Sequence, residues 1–392
     1  MIALKSQLFR AGLSALWYSG AARACERWTA GKGAILMLHR VQPEAAGVFS
    51  PNARLSISPE YLRALLVGFR AADIDVISLD EALARVRDTK HTRRFVCFTF
   101  DDGYRDNLEH ALPIFQRFHA PFTVYATTSF LNRALAPWWI ALEQVIASEQ
   151  EVRWIDGRPP RSSAAPGPQA TAARTPRWME ARERKVRSYA ARLGVERAAE
   201  VLRFATTSLA SKQRAFDALA GRFMRMTAAE LPLRIEQFLA VYGRSLRELA
   251  EREMCSWSEL RTLQDAGVEI GCHSVSHARL SCESPEAVRR ELSAARRLLE
   301  AQLGQPVRHL AYPFGKPEHV GLRDFAIARE LGFASAVTTR AGCVFAAHSA
   351  HRHSLPRIEV TSSFDASSHY LQTILTGLPL AARNRGQLVV ND

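Results

Sequence analysis

The chain has 392 residues, 47% of them hydrophobic and 23% charged, and carries a net charge of +13 at pH 7. This balance excludes a fibrous or compositionally disordered chain and allows one large core or two modest ones. The basic excess, carried mainly by arginine, favours an anionic partner (nucleic acid, a membrane surface or a phosphorylated substrate) without naming one. Six cysteines (Cys25, Cys97, Cys255, Cys272, Cys282 and Cys343) form no CxxC pair, so they read as reduced thiols of a cytosolic protein rather than a disulfide framework or zinc cluster.

In the first stretch, Leu4, Leu8, Phe9, Leu13, Leu16 and Trp17 recur at helical spacing beside Lys5, Arg10, Arg23 and Arg27. This predicts an amphipathic helix within residues 1–33, packed on the domain or lying on a membrane surface. Ser14, Tyr18, Ser19 and Gly20 interrupt the apolar run, which argues against a secretory signal. No run approaches the ~18–20 apolar residues of a membrane span.

Residues Ala34–Leu38 read as a short buried strand that leaves His39 at its C-terminal end, followed by Arg40 and Val41. A strand-end histidine is more often a hydrogen-bonded structural residue than a catalyst, but the position keeps it a candidate. A helix follows over 58–72, opened by Ser58-Pro59-Glu60, then a strand at 75–78 and a helix over 79–88. The apolar, β-prone Phe95-Val96-Cys97-Phe98-Thr99-Phe100 reads as a buried parallel strand that delivers Asp101 and Asp102 to its C-terminal end. Adjacent strand residues point to opposite faces, so the two carboxylates share a site only if the chain turns, which Gly103 permits. Alone, Asp-Asp-Gly is a common turn. A helix over 107–119 and a strand over 121–127 continue a βα alternation that argues for a parallel α/β architecture.

The rhythm breaks at Trp138-Trp139, which fit a sugar site or core packing equally well. Residues 137–255 read as a helical insertion, with a Pro-, Ala-, Ser- and Arg-rich flexible loop at 157–176 and helices at about 178–193, 197–209, 211–224 and 228–242. The alternation resumes with a helix over 256–266, a strand over 267–272 ending in His273-Ser274-Val275-Ser276-His277, and a helix over 285–303. A strand at 309–312 then runs into Pro313-Phe314-Gly315. A helix over 322–331 and strands at 334–338 and 357–360 follow, with a tail at 362–392. About seven or eight strands are enough to close, or nearly close, a barrel. There is no internal repeat.

Two histidines four apart after a strand form an ordinary divalent-metal pair, and HxxxH is common by chance. A carboxylate from a second strand end would complete a three-ligand site with an open position, and a neighbouring carboxylate could serve as general base. The combination is more specific than its parts, and here the sequence resembles the polysaccharide deacetylase family (the NodB-homology, or carbohydrate esterase family 4, domain). Thr99-Phe100-Asp101-Asp102-Gly103-Tyr104 is similar to its first motif and His273-Ser274-Val275-Ser276-His277 to its second. Ala311-Tyr312-Pro313-Phe314-Gly315 is similar to its third. Leu355-Pro356-Arg357-Ile358 and Leu38-His39-Arg40-Val41 resemble segments of a subgroup that opens with a YHRV-like strand. The resemblance covers residues 34–136 and 256–361.

The resemblance implies a deformed (β/α) barrel with a divalent metal, usually zinc, held by Asp102, His273 and His277. It implies Asp101 as the base on the attacking water, the Tyr104 backbone N–H as an oxyanion donor, and Tyr312, Pro313 and Phe314 as substrate-binding residues. In the subgroup the acid that protonates the leaving amine resembles His39, with His351 and His353 as runners-up. Ser274 and Ser276 read as hydrogen bonders rather than nucleophiles, because no base and orienting partner accompany them. One departure matters: the usual arginine two residues before the proline of the third motif is Ala311 here, and Arg357 is the candidate to orient the base in its place. The other, Leu38 in place of the usual tyrosine, bears on packing rather than chemistry.

The expected activity is therefore metal-dependent removal of an N-acetyl group from an amino sugar in a polysaccharide or lipid-linked glycan. The expected location is the cytoplasm, with peripheral contact at the inner membrane face. The same site could serve an O-deacetylase, a deformylase or an imidase. A metal-free glycosidase on Asp101 and Asp102 is disfavoured, since adjacent residues rarely span the ~5–9.5 Å that such a pair needs. A nucleic-acid-binding protein is suggested by charge alone, without a recognisable motif, so no nucleic-acid partner is expected.

Overall fold

The structure, a computed structural model, describes residues 2–43, 49–88, 90, 93–156, 200–361, 364 and 369–389. Twelve strands occur among them: β1 (Gly33–Leu38), β2 (Arg40–Val41), β3 (Ser56–Ile57), β4 (Asp75–Val76), β5 (Phe95–Phe100), β6 (Phe122–Ala126), β7 (Glu151–Asp156), β8 (Glu200–Ala205), β9 (Glu269–Cys272), β10 (His309–Ala311), β11 (Ser335–Ala341) and β12 (Leu355–Glu359). Seven of these, in the order β1-β12-β11-β10-β9-β6-β5, close into a barrel through a β1–β5 pairing that runs from Gly33↔Phe95 to Leu38↔Phe100. β4 pairs with the start of β5, below β6, as an eighth strand. Every pairing in this sheet is parallel, so all strand C-termini lie on one rim, where such folds carry their chemistry. The expected barrel is therefore present.

The period of two along each strand divides the apolar residues between two cores. Ala34, Leu36, Val96, Phe98, Phe100, Val124 and Leu310 face the surrounding helices. Ile35, Cys97, Tyr125, Ala311, Val337 and Leu355 fill the interior, which is floored by Leu79, Ala82 and Val86 of helix Leu79–Arg87. Burial on both sides explains why β5 is buried at every position and apolar at all but Thr99 instead of alternating. Helices Pro59–Ala71, Trp257–Asp265 and Pro285–Leu303 each start at a serine whose side chain accepts from the third residue on, satisfying a helix-end N–H that would otherwise lack a partner.

A second core is built mostly from the stretch expected as an insertion (Trp138, Trp139, Trp154, Leu219, Phe223, Ile235 and Phe238) and takes in Tyr104, Phe130 and Ala278 from outside it. The insertion is not purely helical: β7 and β8 form an antiparallel hairpin from Glu151↔Ala205 to Asp156↔Glu200. The helix expected over 197–209 is thus replaced by a strand, in which Leu202 and Phe204 pack on the insertion core while Val201 is exposed. That is a period of two, not 3.6. Helices Trp138–Ser148, Leu209–Phe223, Leu231–Val241 and Leu246–Glu253 complete the described part. The expected loop at 157–176 and helix at 178–193 lie outside the described residues.

Two helices form the N-terminal stretch, Ile2–Tyr18 and Ala21–Thr29, separated at Gly20 with φ +76°. The stretch expected to be a tail contains helices Tyr370–Leu375 and Leu378–Arg383. Leu13, Leu371, Ile374 and Leu375 join the outer core, so both ends of the chain pack on the barrel.

Candidate active site

The inward row of β5 continues past the strand end. Asp101 keeps the inward parity of Cys97 and Thr99, and its two oxygens accept from Nη1 and Nη2 of Arg357, each at 2.7 Å. Arg357 projects inward from β12 and also donates to Thr99 Oγ1 (3.1 Å) and to the Thr338 carbonyl (2.9 Å). It is only 1% exposed, so this fork-to-fork pair is dry. Asp102 would face outward by parity, but φ of +76° there and +79° at Gly103 reverse the chain and carry its side chain onto the rim. Adjacent carboxylates thus reach one site through backbone reversal.

The second motif arrives on β9. Gly271 faces inward, and a Cβ there would lie 2.4 Å from the Tyr125 ring, so only glycine lets that ring pass beneath the rim. Beyond the strand, positive φ at Ser274 (+64°) and His277 (+54°) coils the chain into a tight turn. Ser274 Oγ accepts from the His277 N–H at 3.1 Å. Glu291 Oε2 accepts from Val275 N–H (3.1 Å), Ser276 N–H (2.9 Å) and Ser276 Oγ–H (3.0 Å). Both serines are therefore hydrogen bonders, as expected.

The turn brings His277 Nε2 to 3.1 Å and His273 Nε2 to 3.4 Å from Asp102 Oδ1, with all three side chains at least nine-tenths buried. His273 donates from Nδ1 to the Ala311 carbonyl at 2.7 Å, which fixes its ring and leaves Nε2 as the atom aimed at Asp102. Asp102 Oδ1 makes no hydrogen bond within acceptable geometry although it is fully buried. Two ring nitrogens and a carboxylate oxygen converging on one point without a hydrogen bond make a donor set that suits a divalent cation.

The charges at Asp102 and His277 agree with that assignment. Burial opposes ionisation of Asp102, but the two imidazoles set against it, His277 first, hold its carboxyl well below the usual carboxylate range. Burial lowers His277, favouring the neutral imidazole that can ligate. Burial also works against protonation of His273, but the carboxylates of Asp102 and Asp101 and the Ala311 carbonyl raise it, so ligation there displaces a proton. Asp101 is likewise opposed by burial and brought below its ordinary value by Arg357, then by His273 and His39.

His39 ends β1, half-buried, and its charge acts on both carboxylates. Tyr104 is held against the insertion: Arg105 N–H donates to the Glu253 carbonyl and Cys255 N–H to the Gly103 carbonyl, both at 3.0 Å. In such an antiparallel bridge the intervening residue's own N–H points the other way. Trp139 Nε1 donates to the Tyr104 hydroxyl at 2.8 Å. The Trp139 ring lies 5.0 Å from His277, Phe130 6.0 Å and Phe314 4.8 Å. Trp138 instead stacks on Phe223 within the insertion core, so of the tryptophan pair only Trp139 reaches the site.

Several expectations are corrected. Tyr312 is buried in the outer core and donates to the His353 carbonyl at 2.9 Å, and Pro313 is buried as well, so of that motif only Phe314 presents its side chain to the cluster. His351 and His353 precede β12 in a barrel whose strands are all parallel, which puts them at the opposite rim; His353 Nε2 donates to the Phe333 carbonyl at 2.8 Å. Neither lies on the rim that carries Asp101 and Asp102. Glu291 and Phe130 escaped sequence reasoning as site neighbours, whereas Trp139 was a candidate with Trp138. No spacing rule links Glu291 to the turn it staples, and only the Trp138-Trp139 pair carried any signal.

The sequence model of the polysaccharide deacetylase family matches residues 88–158 and 206–336, more than half of the chain. The chain belongs to this family. It is accordingly a carbohydrate deacetylase, with a His/His/Asp cluster able to hold a metal at its barrel rim. Among solved structures, the Streptococcus pyogenes deacetylase PplD in complex with acetate is 17% identical. That match covers 87% of this chain and 96% of PplD at a TM-score of 0.50, a likeness of fold. IcaB from Ammonifex degensii is 15% identical over 88% of this chain and 97% of its own, at a TM-score of 0.48. No curated protein sequence matches the chain significantly.

Proposed function

We propose that this deacetylase removes an N-acetyl group from an amino sugar with a divalent cation, zinc, held by Asp102, His273 and His277. The observation that carries the reading is the convergence of those three donors beside a second carboxylate, Asp101, that is ionised and clamped by Arg357. When bound, the cation supplies Lewis acidity, polarising an acyl carbonyl and acidifying a water.

The chain's own residues do the rest. Asp101 is the general base that accepts a proton from the attacking water, and Arg357 fixes its orientation without competing for its role, since guanidinium stays charged. The Tyr104 N–H, turned away from the insertion, donates to the oxyanion of the tetrahedral adduct. His39, across the rim from β9, donates a proton to the departing nitrogen. Trp139, Phe130 and Phe314 exclude water around His277, and Phe314 and the Trp139 edge offer a sugar ring an apolar wall.

We further propose a lipid-linked glycan as substrate, met at a membrane surface. Supporting this, Leu8, Phe9, Tyr18 and Trp28 of the N-terminal helices are more than half exposed, with Arg27 stacked on Trp28, on a chain of net charge +13. A panel of amino sugars bearing N-acetyl, O-acetyl or N-formyl groups, assayed for free acid with zinc supplied, tests the acyl specificity. Acetate from the N-acetyl sugars alone is expected; release only from O-acetyl or N-formyl sugars would contradict it.

A further inference from the structure

The barrel interior is apolar except at two levels. One is the rim. The other is a polar arc just above the floor, at the N-terminal end of the strands: Thr123 on β6, Glu269 on β9, His309 on β10 and Ser335 on β11. Their registers align as Thr123↔Glu269 and His309↔Ser335. Asp80, in the first turn of the floor helix, reaches the same place. His309 Nε2 lies 3.0 Å from Glu269 Oε1 and 3.3 Å from Asp80 Oδ1.

Two details separate this cluster from a simple ion pair. The His309 side chain is 0% exposed, yet its Nε2 makes no hydrogen bond within acceptable geometry and points between the two carboxylates. Both partners are also fixed from behind. His309 Nδ1 meets Ser335 Oγ at 2.8 Å, and Glu269 Oε2 accepts from Thr123 Oγ1 at 2.9 Å, which leaves Oε1 for the cluster. A ring nitrogen and a carboxylate oxygen, each oriented by a hydroxyl on its far atom, reproduce the support that metal-ligating histidines receive. Asp80 Oδ1, the oxygen that faces His309, also accepts from Arg308 Nη2 at 3.1 Å and Nε at 3.3 Å.

We propose that Asp80, Glu269 and His309 form a second divalent-cation site that ties the floor helix to β9 and β10. One imidazole with two carboxylates suits zinc and its neighbours cobalt, nickel and manganese. The site lies at the opposite end of the barrel from Asp102, and its role is structural: it closes the floor. It stands whether or not the rim site binds as proposed.

The full chain, stripped with a chelator and re-equilibrated with zinc, is freed of loose metal by gel filtration and its bound zinc counted. Glu269→Gln and Asp80→Asn are each expected to bind one equivalent fewer than wild type, while Asp102→Asn keeps the floor equivalent and loses the other. Zinc should raise the melting temperature of Asp102→Asn but not of the double variant Asp102→Asn with Glu269→Gln. Equal zinc content in wild type, Glu269→Gln and Asp80→Asn overturns the proposal. Asp80 lies on the surface and its variant folds even if Glu269→Gln does not, so one arm always reads out.

Discussion

At the scale of single residues, the buried Arg357–Asp101 pair decides how the site behaves. Arg357→Ala would leave Asp101 buried without a counter-charge, a change that typically costs about 3–5 kcal/mol. Thermal melts should show that loss together with a fall in turnover. Arg357→Lys restores the charge but not the two-pronged geometry, so stability should recover further than activity does. Recovery of activity to the wild-type rate would show that charge alone suffices at Asp101. His39→Ala should lower kcat by about 10²–10⁴, the usual contribution of a positioned acid, with KM little changed; an unaltered kcat would remove His39 from the mechanism. Arg357 could be nominated from the sequence because Ala311 vacates the arginine of the third motif. Tyr312 was misjudged for a physical reason: its place after a strand is that of a site residue, but its ring turns into the outer core, and the direction in which a side chain leaves a strand end cannot be read from spacing.

At the scale of elements, the strands were the most legible part of the chain, because burial on both faces leaves apolar runs such as those of β1 and β5. The hairpin was the least legible. Residues Glu200–Ala205 lie in a stretch with the composition of a helix, and only the pairing of β8 with β7 reveals their period of two. Turn geometry was legible in part: Gly103 announced a reversal, whereas left-handed Asp102, Ser274 and His277 are set by tertiary hydrogen bonds such as those of Glu291. Gly271 gives this scale its test. Gly271→Ala would drive a Cβ into the Tyr125 ring, and overpacking of this kind typically costs about 1–3 kcal/mol. Denaturant melts should show that loss, and pairing with Tyr125→Phe should not relieve it, because the clash is with the ring and not the hydroxyl. An unchanged midpoint would mean that the ring is free to move.

At the scale of the whole molecule, the barrel supplies the rim and the insertion supplies the wall. Tyr104 belongs to the insertion core through Trp139, while Arg40, stacked over Tyr104 at 4.7 Å, bridges Asp106 and Glu253 at 2.8 Å each. The candidate active site therefore lies on a seam, and its shape depends on both bodies. The N-terminal helices put Leu8 and Phe9 outward while Leu13 anchors the first of them to the core. Sedimentation with vesicles containing anionic lipid should carry the wild-type chain down in low salt, and Leu8→Ser with Phe9→Ser should lower the bound fraction several-fold without affecting the melt. Equal sedimentation of the two proteins would argue against a membrane-facing role for these helices.

The central claim is that Asp102 holds the cation while its neighbour Asp101 moves the proton. The most direct measurement is bound zinc and acetate release in parallel on Asp101→Asn and Asp102→Asn, with an N-acetylated glucosamine oligomer as substrate. Asp101→Asn should keep the wild-type zinc content and lose about 10²–10⁴ in kcat, while Asp102→Asn should lose one zinc and all measurable turnover. Wild-type turnover in either variant, or zinc lost from Asp101→Asn but kept in Asp102→Asn, would contradict the account.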